Sequence, residues 1–273
     1  MSWTRRKFIK ASLFFGAGLT LADAFWFEKY FIQIKEFFVG EKNSEEPKFR
    51  VVQVSDLHLR SITSQLKTLA SRVNRLKADL IVFTGDSIDQ AEGLILLDEY
   101  LEMFDKQVKK VAILGNWEYW GGVDIKRLKK VYHKHNCDLL VNETRRYSFR
   151  ASSIAVTGLD DFVGGNADIE LALHHFEPAD FHMVLNHCPA YSDSIAIKTP
   201  PDINLDLILS GHTHGGQVNL FGLIPFLPEG SGSYVSGWYT GKRKKLYVSK
   251  GIGTSILPIR FGARSEIAVF NLG

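Results

Sequence analysis

The chain is predicted to adopt an α/β fold, with a largely parallel sheet covered by helices, on three observations. From residue 49 onward, short β-branched runs alternate with stretches of helical apolar spacing, the pattern of strand–helix–strand units. Five of the apolar runs stop abruptly at polar or glycine residues. The 273 residues, 45% hydrophobic and 23% charged, suffice for a sizeable core.

The chain opens with an address. Thr4-Arg5-Arg6-Lys7-Phe8-Ile9-Lys10 precedes an apolar stretch from Ala11 to Leu21 and a small-x-small Ala22-Asp23-Ala24. These are the three regions of an export signal, and the paired arginines resemble the twin-arginine motif. Residues 1–24 are therefore assigned as a twin-arginine signal and 25–273 as a single domain. The route implied is export through the twin-arginine machinery to the periplasm or cell envelope. The alternative is a retained anchor with peripheral membrane contact, although Ala11–Ala22 falls short of the roughly 20 residues that span a bilayer. Arg5, Arg6, Lys7 and Lys10 against Asp23 account for the whole net charge of +3. The neutral remainder gives no electrostatic ground for stable nucleic-acid binding. The basic runs 125–130 and 241–245 read as a solvated helix face and a hairpin tip.

"YFIQIKEFF" alternates as a strand, and 40–48 is a polar loop. "RVVQVSD", "DLIVFTGD" and "KKVAILGN" are strands, followed by helical spacing over 62–76, 92–104 and 123–135. Cys137 and Cys188 are too few for a disulfide framework and read as buried free thiols.

In parallel sheets, sites gather beyond the carboxyl ends of the strands. Those ends carry Asp56 and His58, Asp86, Asn116, His187, then His212 and His214. Singly, each has a plain reading as a helix cap or turn residue. Together they offer three oxygen donors and four imidazoles without a thiolate, which suits two divalent ions of manganese, iron or zinc about 3.5–4 Å apart. Gly85, Gly115, Gly211, Gly215 and Gly216 let the backbone turn sharply beside them.

The blocks "SDLH", "TGD", "GNWE", "LNH" and "SGHTHGGQV", in this order, resemble the calcineurin-like metallophosphoesterases. The tail "YVSKGIGTSILPIRFGARSEIAVFNL" resembles their small bacterial twin-arginine-exported phosphodiesterases, and UDP-diacylglucosamine pyrophosphatases resemble the same branch. The resemblance implies a four-layer α/β/β/α sandwich and hydrolysis of phosphodiester or pyrophosphate bonds, lipid-linked or sugar-nucleotide substrates included, by a metal-bridging hydroxide. It implies that Asp56, His58, Asp86 and His214 hold one ion and Asp86, Asn116, His187 and His212 the other. Asp86 bridges, and Asn116 steadies the phosphoryl oxygens. Purple acid phosphatases carry a metal-binding Tyr where this chain has Asp89, and the two-domain nucleotidases need more length.

The family's proton-donating His is replaced by Trp117, whose indole has no titratable proton near neutral pH. Three readings stay open: an enzyme for good leaving groups with Trp117 binding substrate, a proton from Glu118 or His182, or a catalytically weak metal-binding envelope protein. His133, His135, His174, His175 and His182 read as surface or packing residues, and 158–165 as a rim loop or a polar turn.

Overall fold

The computed structural model describes residues 4–40, 47–150, 152–220 and 222–273. The chain begins with α1 (Arg5–Ala22), a π-helical turn (Asp23–Phe27) and α2 (Glu28–Tyr30), followed by β1 (Gln33–Val39). The expected cleavage triplet thus lies within continuous helical backbone, with Ala24 buried. Of the expected polar loop, residues 41–46 lie outside the described residues.

Then come β2 (Phe49–Val54), α3 (Ser64–Arg75), β3 (Leu80–Thr84), α4 (Gly93–Leu101), β4 (Lys109–Ile113), α5 (Asn116–Trp120), α6 (Ile125–Lys134) and β5 (Cys137–Leu139). The second half comprises β6 (Glu143–Phe149), β7 (Ser152–Gly158), α7 (Ile169–Ala172), β8 (Phe181–Leu185), α8 (Ser192–Lys198), β9 (Leu207–Ser210), β10 (Gly237–Gly241), β11 (Lys244–Val248) and β12 (Glu266–Leu272).

Two six-stranded sheets form, ordered β1-β12-β2-β3-β4-β5 and β10-β11-β9-β8-β7-β6. The periodicity of the strands explains the stacking. Val52 and Val54 of β2 pack outward with Leu69 and Val73 of α3 and Leu97 of α4, while Val51 faces inward with Val82, Val156, Met183 and Leu209. A third cluster joins Ile169 of α7 and Ile195 of α8 to Val184 and Ile208. The result is a four-layer α/β/β/α sandwich. Each such buried aliphatic side chain contributes about 1.5–3 kcal/mol.

Local signals set the helix limits. Thr63 Oγ1 accepts the Leu66 N–H at 3.3 Å to start α3, and Asp124 accepts those of Lys126 and Arg127 to start α6. Strands β2, β3 and β4 run parallel in one sheet and β7, β8 and β9 in the other. The functional tips of both sheets therefore meet at one edge of the sandwich.

Candidate metal centre

All seven predicted donors come together there, and all are buried. His58 Nε2 lies 3.0 Å from His214 Nε2 and 3.7 Å from Asp86 Oδ2, and His214 Nε2 lies 3.7 Å from Asp56 Oδ1. In a second cluster, His187 Nε2 is 3.2 Å from both Asp86 Oδ2 and Asn116 Oδ1. His212 Nδ1 is 2.9 Å from Asn116 Oδ1 and 3.2 Å from His187 Nε2. Asp86 Oδ2 belongs to both clusters. Donors about 2.1 Å from a shared ion lie about 3–4 Å apart, depending on the angle between them, so this spacing fits two divalent cations.

The backbone is forced into this arrangement. Asp56, His58, Asp86, His212 and His214 all have positive φ, between 44° and 72°, a conformation that non-glycine residues adopt at a cost and that concentrates at functional sites. Gly85, at φ 89°, has no room for a side chain: a Cβ would sit 2.4 Å from His187 Nδ1. At Gly115 a Cβ would come within 2.2 Å of Asp86 Oδ1.

Outer partners orient the imidazoles. His187 Nδ1 donates to the Thr84 carbonyl at 2.8 Å, His212 Nε2 to the Glu229 carbonyl at 2.6 Å, and His58 Nδ1 to Asp89 Oδ1 at 2.5 Å. Each bond turns the other ring nitrogen's lone pair toward its cluster. His214 differs. Its Nδ1 accepts from the buried guanidinium of Arg260 at 3.2 Å, so its Nε2 faces a cation as a lone pair only when Arg260 releases that bond. Arg260 keeps three carbonyl acceptors, of Lys250, Gly253 and Ala263.

Charge is balanced locally. Burial raises the Asp86 pKa, but the charge of His187 and its hydrogen bond outweigh this and hold it well below the carboxylate range. His187 is raised reciprocally, by Asp86 against its own burial. His214 is pushed well down by burial, His58 and Arg260. Burial also lowers Arg260, to about 10.

The remaining sequence candidates sort differently. Trp117 donates its backbone N–H to Asp86 Oδ1 at 2.9 Å, and its indole meets the rings of His58 and Trp120 edge-on. Glu118 is sealed beneath the site by four backbone N–H donors. His182 bonds Thr157 and Asn204 at the far end of β8. Neither is placed to meet a leaving group. Cys188 is a buried free thiol 3.1 Å from Asp161 Oδ2, raised by burial and that carboxylate, and Cys137 is likewise buried and free. The 158–165 segment forms a turn tied to α5 by the Tyr119 hydroxyl on Asp160 Oδ1.

In the sequence Asp89 stands only where purple acid phosphatases carry Tyr, and no local signal marks Arg260 or Glu229 as a partner of the donors. Above the donors opens a cavity of about 760 Å³, lined in part by Trp117, Trp120, Gln217, Phe226, Glu229 and Leu257.

Fold and clusters define a metal-binding α/β sandwich. Residues 49–216 match the model of the calcineurin-like phosphoesterases. The chain is 34% identical to the uncharacterized metallophosphoesterase YkuE of Bacillus subtilis, over 98% of this chain and 97% of that protein. It is 29% identical to YkoQ of the same organism, also an uncharacterized metallophosphoesterase, over 81% of this chain and 82% of that one. Among solved structures it is similar to a 5'-nucleotidase precursor of Thermus thermophilus, with a TM-score of 0.46 and 14% identity over 75% of this chain and 49% of the other. The chain belongs to the calcineurin-like phosphoesterases.

Proposed function

We propose that this protein hydrolyses phosphodiester or pyrophosphate bonds whose leaving groups are stable as anions. The reading is carried by one observation: two donor clusters sharing Asp86 Oδ2 at the floor of an open cavity. Two divalent ions bound there supply Lewis acidity and a water of lowered pKa. Asn116 commits its amide oxygen to the second cluster, which leaves its NH₂ to donate to a phosphoryl oxygen. Asp86 stays ionised and is fixed by the Trp117 N–H. The Trp117 indole forms a wall for an apolar or planar group and supplies no proton.

The sequence of residues 4–24 supports export by the twin-arginine route, and with it a proposed site of action in the cell envelope. Asp86→Ala tests the central reading with bis(4-nitrophenyl) phosphate and metal analysis. We expect hydrolysis to vanish and bound metal to fall. Full activity with full metal content would refute the assignment.

A further inference from the structure

Apolar side chains crowd the mouth of the cavity. Phe226 and Ile256 line it while 70% and 74% exposed, and Leu223 beside them is 75% exposed. Apolar surface concentrated at one rim marks an interaction site. These are not loose tips. Leu220 and Leu223 exchange backbone hydrogen bonds, and Asn219 Oδ1 accepts the Gly222 N–H. This loop is laced to 253–262 by Asn219 N–H on the Phe261 carbonyl, Phe261 N–H on the Gln217 carbonyl, and Gln217 Nε2 on the Leu257 carbonyl.

The same 253–262 segment is tied to the N-terminal region. Arg260 N–H donates to the Ala24 carbonyl at 2.9 Å, and Lys29 Nζ to the Pro258 carbonyl at 3.4 Å. Beside it Phe25 and Trp26 are exposed, and α1 presents Leu13, Phe14 and Phe15 together with Arg5, Arg6, Lys7 and Lys10, without an acidic residue. The rim thus exposes apolar groups, and the N-terminal segment tied to its 253–262 stretch carries further exposed apolar groups and a cluster of cations.

We infer that the N-terminal segment is retained and that the protein seats on a bilayer containing anionic lipid, with the apolar rim and the cavity mouth toward the headgroups. The substrate is then a phosphoester whose hydrocarbon part stays in the membrane. Apolar burial holds the rim in the interface, and the cations draw α1 to anionic headgroups. The substrate half of this inference rests on the hydrolase reading; the bilayer half does not.

The test is co-sedimentation of the full-length, metal-loaded protein with vesicles of phosphatidylcholine alone or mixed equally with phosphatidylglycerol. The protein should favour the mixed vesicles. The triple variant Leu223→Ser, Phe226→Ser, Ile256→Ser should lose at least about tenfold in partitioning, with thermal midpoint and metal content unchanged. A phosphodiester with long acyl chains should be cleaved faster from mixed vesicles than from pure phosphatidylcholine, and the triple variant should lose this gain. Wild-type protein that ignores vesicles, or a triple variant that binds them equally, overturns the proposal. So does a concentration-dependent dimer that the triple variant disperses, which would make the face a contact between copies. Vesicle binding is read without turnover, so its failure is separable from failure of the hydrolase reading.

Discussion

Glu118 holds the backbone of Asp86 from below. Its Oε2 accepts the N–H groups of Asp86 at 3.1 Å and Gly115 at 2.8 Å, while Oε1 accepts those of Ser87 and Ile88. One buried carboxylate thus fixes the loops that deliver both Asp86 and Asn116. Burial and the charge of Asp86 raise its pKa to about 7 against the pull of these donors.

Glu118→Gln places an NH₂ against backbone N–H groups and leaves some of them unpaired. We expect a loss of about 2–4 kcal/mol in stability and of about 10–100-fold in metal affinity. Thermal denaturation and manganese titration measure the two. An unchanged affinity would show that the loops hold their places without this carboxylate.

Asp89 acts through His58. Asp89→Ala removes the acceptor that fixes the tautomer of His58, and metal affinity should fall about 10–100-fold. The Arg60–Asp89 pair lost at the same time involves a half-exposed guanidinium, so its own cost is at most about 1 kcal/mol. Two-site titration calorimetry should show the weakening confined to the ion held by His58. Equal weakening at both ions would mean that Asp89 acts through the fold as a whole.

Arg260 is fully buried with three carbonyls as acceptors. Arg260→Met strands those oxygens, and unfolding free energy should drop by about 3–5 kcal/mol. Chemical denaturation reads this directly, and parental stability in the Met variant would exclude the bonding described.

The donors were legible because each ends an apolar run, and a buried strand that stops at a polar side chain is a local signal. Asp56, Asp86 and Asn116 each carry that signal in a few adjacent residues. The orienting groups carry none. Arg260 lies 46 residues from His214 and Asp89 lies 31 from His58. No adjacent residue marks either of them as an orienting group. The stacking of two sheets was legible only through the family resemblance, since alternating strands and helices fit one sheet equally well. Glu118 was visible, but the backbone N–H groups that fill both its oxygens were not, and they rule out the acid role considered for it.

Trp117 bears on the chemistry itself. Without a titratable group at this position, the rate should depend steeply on leaving-group pKa, fast for 4-nitrophenolate and slow for an alkoxide. Trp117→His should flatten that dependence. The gain expected is about 10²-fold or more for an alkyl leaving group, since general acid catalysis contributes about 10²–10⁴-fold. For 4-nitrophenolate, already stable as an anion, the gain should be small. If neither form hydrolyses any substrate with both metals bound, the site is a metal-dependent binding module. Glu229 is the one titratable cavity-lining side chain outside the seven donors among the described residues, so it supplies the control. Glu229→Gln should leave the leaving-group dependence of the parent unchanged; if it steepens, Glu229 is the acid, and the preference for good leaving groups does not follow from Trp117.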